Sequence, residues 1–199
     1  MRRLLQLGTL LVSAYYALWA CAPAATFRPI NDLPVDGNEF GLGAVGSTDF
    51  ETTDCTRDLT GCGPGYGGQL WYTHRFGRFF SLGGTLFGGN KAFVGGGVQA
   101  RFHWVDLDRF QFGTDLEGGF AYGAIGLPVG VRLADGFWLY TNPSFGVRMF
   151  QSARLPLGVN WQIGDHFGLM AEGAYGYDAL STTAGTSSAS FGLAASYRF

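Results

Sequence analysis

Ala189-Ser190-Phe191-Gly192-Leu193-Ala194-Ala195-Ser196-Tyr197-Arg198-Phe199 alternates with a period of two. Phe191, Leu193, Tyr197 and Phe199 take odd positions, while Ser190, Gly192, Ser196 and Arg198 take even ones. Successive side chains of an extended strand point to opposite faces, so one face here is apolar and the other small or polar. The strand it predicts ends on an aromatic residue.

The same alternation repeats upstream. Ten segments carry it: Glu39–Ser47, Tyr66–Arg75, Phe79–Gly88, Phe93–Trp104, Phe110–Tyr122, Ala124–Leu133, Phe137–Met149, Arg154–Ile163, Phe167–Tyr177 and residues 188–199. Arg154–Ile163 is typical, setting Leu155, Leu157, Val159, Trp161 and Ile163 against Arg154, Gly158, Asn160 and Gln162. Turn signals separate the segments. Phe76-Gly77-Arg78, Val105–Arg109, Ala134-Asp135-Gly136 and Gly164-Asp165-His166 make short connections at one end. Two longer connections, Thr48–Pro64 and Asp178–Ser187, lie at the other. An even strand number returns both chain ends to the short-turn side. Leu127-Pro128-Val129-Gly130-Val131 is echoed by Leu155-Pro156-Leu157-Gly158-Val159, about one hairpin later, which hairpin duplication or common strand grammar explains equally well. Pro128, Pro143 and Pro156 cannot donate to a ladder, so local bulges are expected there.

Alternation alone does not say which face lies inside. A soluble barrel turns its apolar set inward and a membrane barrel turns it outward. The polar face is full of glycine and mixes Arg101, Arg132, Arg148, Arg154 and Arg198 with Asp115, Glu117 and Glu172. Small residues and charges of both signs suit a narrow lumen, where unpaired charge is costly. Aromatics gather toward strand ends, with Tyr72, Phe80, Trp104, Phe110, Phe137, Trp161, Phe167 and Tyr197 at one rim. Tyr122, Tyr175 and Tyr177 fall at the other. Two aromatic girdles are what a bilayer demands of a barrel.

The Phe-ended last strand resembles that of small bacterial outer-membrane β-barrel proteins. The resemblance implies an all-β fold: a closed antiparallel up-and-down transmembrane barrel of about 10 strands, with 8 or 12 as alternatives, over residues 39–199. It also implies residence in the outer membrane of a Gram-negative envelope, with both termini periplasmic and outer-membrane lipids as solvent. Tyr197 and Phe199 then form the signal read by the barrel-assembly machinery.

Composition agrees with this class. Charged residues are only 14% of the 199, whereas glycine reaches 33 residues and aromatics 16%, a profile of Gly- and aromatic-rich strands rather than disorder. A net charge of −2 leaves no basic footprint for nucleic acid. Arg2-Arg3 followed by the apolar stretch Leu4 to Ala20 reads as an export signal over 1–20. Leu18-Trp19-Ala20-Cys21 resembles a lipobox, which makes Cys21 the lipidation site of a lipoprotein; ordinary cleavage within Cys21–Ala25 is the alternative. Residues 21–38 carry three prolines and no period, and read as an extended N-terminal tether.

Chemistry is sparse. Gly41-Leu42-Gly43-Ala44-Val45-Gly46 matches a dinucleotide-binding pattern in letters, but no helical period follows it, so a glycine-rich strand is expected. Cys55 and Cys62 share one loop without the further ligands that zinc requires, so a disulfide is expected in an oxidising compartment. His74, His103 and His166 fall near the short-turn rim and read as interface or turn residues. Ser152, Ser181, Ser187 and Ser188 sit near the far rim without a histidine beside them in sequence. The charged lumen set reads as an ion-pair network rather than acid–base machinery, and Phe87, Phe93, Trp138 and Tyr140 as lumen-occluding bulk. The expected function is a non-enzymatic envelope structural or surface-interaction role without cofactor or metal. A narrow, porin-like channel for small solutes is one alternative, and an outer-membrane lipid-modifying enzyme is another.

Overall fold

The computed structural model describes residues 27–30, 33–49, 65–90, 95–119, 122–147, 151–179 and 185–199. Twelve strand segments follow one another: β1 (Asn38–Asp49), β2 (Gly65–Phe76), β3 (Phe80–Gly89), β4 (Gly95–Leu107), β5 (Phe110–Gly119), β6 (Tyr122–Gly126), β7 (Val129–Ala134), β8 (Phe137–Thr141), β9 (Ser144–Val147), β10 (Gln151–Ile163), β11 (Phe167–Ala179) and β12 (Gly185–Arg198). Each pairs antiparallel with its neighbours, and β1 pairs with β12 from Glu39↔Arg198 to Asp49↔Ser188. The sheet therefore closes on itself and has no edge to protect. The pattern Gly41–Gly46 lies wholly within β1 and is paired on both sides, as a strand rather than a phosphate loop.

Twelve segments make ten staves. Leu127-Pro128 divides β6 from β7, and Asn142-Pro143 divides β8 from β9. Because β6 pairs with β9 and β7 with β8, the two interruptions lie side by side. Pro156 stays within β10, opposite Ala174 of β11. On its other flank the ladder jumps from Leu157↔Thr141 to Arg154↔Ser144, so its missing donor faces the same gap. The prolines thus produce breaks at 127–128 and 142–143, in place of the bulges expected there. Register shifts occur instead at His103/Val105 and Arg132/Ala134.

Three of the short turns rest on glycine. Gly77, Gly136 and Gly164 have φ of 68°, 70° and 62°, a left-handed conformation open to glycine without steric cost. This lets the chain reverse within two or three residues and keeps that rim low.

The faces are sorted opposite to a soluble barrel. On β10, Leu157 is 59% exposed while Asn160 is 0% exposed; on β11, Leu169 is 46% exposed and Glu172 only 2%. Apolar side chains point out and polar ones point in, an arrangement stable only when the surrounding solvent is lipid. Aromatic rings pack against one another around the short-turn rim, Phe80–Phe102 tilted at 5.3 Å and Phe167–Tyr197 edge to face at 5.1 Å. Tyr175 and Tyr177 are exposed toward the other rim. Tyr122, expected with them, is buried in the lumen beside Phe87. It opens β6, where even-numbered residues face inward, whereas even-numbered residues of β5 such as Leu116 face out.

A second correction concerns the N-terminal tether. Phe27, Ile30 and Leu33 are buried at 0%, 0% and 7% exposure. Phe27 stacks on the lumen side chain Trp71, and Leu33 O accepts from Arg75 at the short-turn end of β2. The described part of the segment thus runs inside the barrel, from mid-height to the rim, before turning into β1.

Candidate functional site

The lumen is the site, and register assembles most of it. Arg101 of β4 and Asp115 of β5 are direct cross-strand partners. The guanidinium grips the carboxylate bidentately, Nε to Oδ1 at 2.6 Å and Nη2 to Oδ2 at 2.8 Å. Asn142, released from the ladder by the break before Pro143, turns inward and donates Nδ2 to Asp115 Oδ2 at 2.8 Å. The same Arg101 donates to the carbonyls of Pro29 and Arg28 at 2.8 and 3.2 Å. One arginine joins two wall strands and the inserted segment. Asn142→Ala removes a donor from a buried carboxylate and is expected to cost about 1–3 kcal/mol, read from chemical unfolding; no measurable loss would mean that water takes the amide's place.

The remaining charged residues are placed as follows. Arg198 donates Nε to Glu39 Oε2 at 3.0 Å across the closing pair β1–β12, and Trp71 Nε1 reaches Glu39 Oε1 at 3.4 Å. Glu117 forms an ion pair with Arg28 of the inserted segment and accepts from Tyr122 OH at 3.2 Å. Tyr140 OH donates to Glu172 at 3.0 Å, Arg154 to Ser190 Oγ at 3.1 Å, and the Arg132 guanidinium lies 5.2 Å from the Trp138 ring centre. Arg75 bridges Asp106 at 2.5 Å and the Leu33 carbonyl at 2.7 Å. Arg198 therefore meets Glu39 rather than the carboxylates expected for it. Arg148, Cys21, Cys55, Cys62, Phe93, Ser181 and the export signal lie outside the described residues.

Arg28, Glu39, Arg75 and Asp106 are lumen residues that sequence reasoning missed, whereas Asn142 lies on the polar face that the alternation of Phe137–Met149 gives it. Glu39 shares the inward parity of Gly41 and Gly43, and Arg75 that of Gln69 and Trp71, so period-two counting carried a signal for both. Arg28 had none, because its segment has no period.

The histidines divide. His74 Nδ1 contacts Asn38 Oδ1, and His166 Nδ1 contacts the Arg198 carbonyl, each at 2.9 Å, close to the short-turn rim. His103 is instead buried in the lumen, with Nε2 2.9 Å from Ser81 Oγ. A serine–histidine pair has the elements of a nucleophile and its base. The space beside it is about 40 Å³, bounded by Phe27, Leu33, Trp71, Gln99 and Arg101. That volume admits a few waters and excludes an acyl or sugar substrate. The pair serves as a packed hydrogen bond. Among the described residues no group of three or more His, Cys, Asp or Glu could hold a metal ion.

No protein-family model and no curated protein matches the sequence. Solved structures do. The NanC porin aligns with 78% of this chain and 98% of its own at 7% identity, with a TM-score of 0.51. The KdgM porin aligns with 80% and 99% at 12% identity and TM-score 0.45. Ail, the attachment invasion locus protein of Yersinia pestis, aligns with 83% and 100% at 15% identity and TM-score 0.39. At such identities the NanC likeness speaks to architecture alone. With its closed ladder, outward apolar face and polar lumen, this chain has the fold of an outer-membrane β-barrel protein.

Proposed function

We propose that the protein is a non-enzymatic barrel of the bacterial outer membrane that works closed, in an envelope structural or surface-interaction role. The observation that carries this is the filled lumen. Trp138, Tyr140, Gln111, Asn160 and Glu172 project inward with at most 2% exposure, and Phe27 and Ile30 occupy the remaining width with none. A conducting pore needs a continuous polar water path, and these side chains interrupt it. NanC and KdgM are porins by name; the inserted segment argues against the same role here. The small space beside Ser81 and His103 likewise supports a non-enzymatic role.

In this reading the short turns and both termini face the periplasm and the longer connections face outward. The β12 strand, with Tyr197 and Phe199 exposed, is offered to the assembly machinery during insertion. Purified full-length protein in planar bilayers is the test. No stepwise current above the lipid background is expected in concentrated salt. Reproducible openings would replace this reading with the channel.

A further inference from the structure

The inserted segment is held as a ligand is held. Phe27 stacks on Trp71 with ring centres 6.0 Å apart, in a notch where the wall carries glycine. A Cβ at Gly43 or Gly192 would stand 2.4 Å from the Phe27 ring, and one at Gly130 would stand 2.5 Å from Ile30. Real Cβ atoms do not approach so closely, so the wall is recessed where the segment has bulk. Between the two sockets Arg101 grips the carbonyls of Arg28 and Pro29, while Glu117 faces the Arg28 guanidinium. Arg75 grips the Leu33 carbonyl near the rim.

The arginines read main-chain oxygens, the glycine notches read an aromatic and an aliphatic side chain, and Glu117 reads a cation. Phe27–Ile30 belong to no strand, and the barrel ladder closes without them. Site and occupant are therefore separable: the occupant can leave without breaking a single pair of the closed sheet.

We propose that the lumen is a peptide-binding site, occupied at rest by the chain's own Phe27-Arg28-Pro29-Ile30 and Leu33. The segment is a displaceable plug, and an extended peptide of the same aromatic–arginine–proline–aliphatic pattern can replace it. This rests on the lumen geometry and not on the envelope role proposed above.

The test uses the full chain bearing F27S, R28S, I30S and L33S, with folding checked by circular dichroism and heat-modifiable migration in gels. The probe is a fluorescently labelled peptide, Thr-Phe-Arg-Pro-Ile-Asn-Asp-Leu-Pro, followed by anisotropy. Saturable binding to the variant is expected. Binding to the wild type, whose site is filled, should be about tenfold weaker or more, as should binding of a peptide with alanine for Phe and Arg. A folded variant that takes up no peptide, or takes both peptides equally, overturns the proposal.

A second measurement stands if that variant fails to fold. Gly192→Val should lower the melting temperature by pushing against Phe27 and the Ala44 carbonyl oxygen, and Phe27→Ala in the same chain should restore the part due to Phe27. If the two losses simply add, Phe27 does not occupy the notch and the proposal fails. Current through wild-type protein would overturn the closed-barrel function and leave this inference standing, so the two failures are distinguishable.

Discussion

Arg101→Met is expected to destabilise the barrel by about 3–5 kcal/mol, the usual loss when one partner of a buried ion pair is removed. The carboxylate of Asp115 is 4% exposed and would be left with the Asn142 amide alone among the contacts described for it. The carbonyls of Arg28 and Pro29 would lose their donor at the same time. Changing both partners, as Arg101→Met with Asp115→Leu, should recover the part of the loss due to the unpaired carboxylate, while the Arg28 and Pro29 carbonyls stay without their donor. Equilibrium unfolding in detergent micelles, followed by tryptophan fluorescence, gives both numbers. A single-variant loss under about 1 kcal/mol would mean that water solvates Asp115, and that the lumen is wet at this level.

Leu193→Arg should cost about 2–4 kcal/mol when the barrel is folded into lipid vesicles, as for a cation placed near the midplane of a membrane barrel. Leu193 is 58% exposed and sits opposite Ala44, well inside the paired length of β1 and β12. On a water-soluble protein the same exposed position would tolerate arginine within about 0.5 kcal/mol. The size of the effect therefore identifies the solvent outside the barrel. Thr48→Arg, on the same outward face but nearer the outer rim of the strand pair, should cost clearly less, since the penalty falls toward the interface. Equal, near-zero losses at both positions would refute a lipid-facing surface.

Much of this architecture is local chemistry. The period-two alternation of each stave, the parity that sends Leu157 outward and Asn160 inward, and the glycines that reverse the chain at 77, 136 and 164 depend on neighbours in sequence. They were legible for that reason, and ten alternating segments became ten staves. Arg101 and Asp115 could be assigned to the lumen by parity alone, on adjacent strands joined by a short turn.

Other features belong to closure and could not be read locally. Arg198 and Glu39 are 159 residues apart and meet only because the last strand pairs with the first. The proline breaks align because two neighbouring staves place Pro128 and Pro143 against the same gap, a matter of register between strands. The inserted segment is the extreme case. Residues 27–33 contain no period that propensity could use, and three prolines in 21–38 favour an extended chain anywhere. The place of Phe27–Ile30 and Leu33 inside depends on a cavity that exists only once the sheet has closed, with recesses at Gly43, Gly130 and Gly192 contributed by three strands distant in sequence. Sequence alone determined the strands and how each sorts its side chains onto an apolar and a polar face, because both follow from adjacent residues; the tertiary structure alone decided which charges pair and what fills the lumen, because those contacts form only between segments that closure brings together.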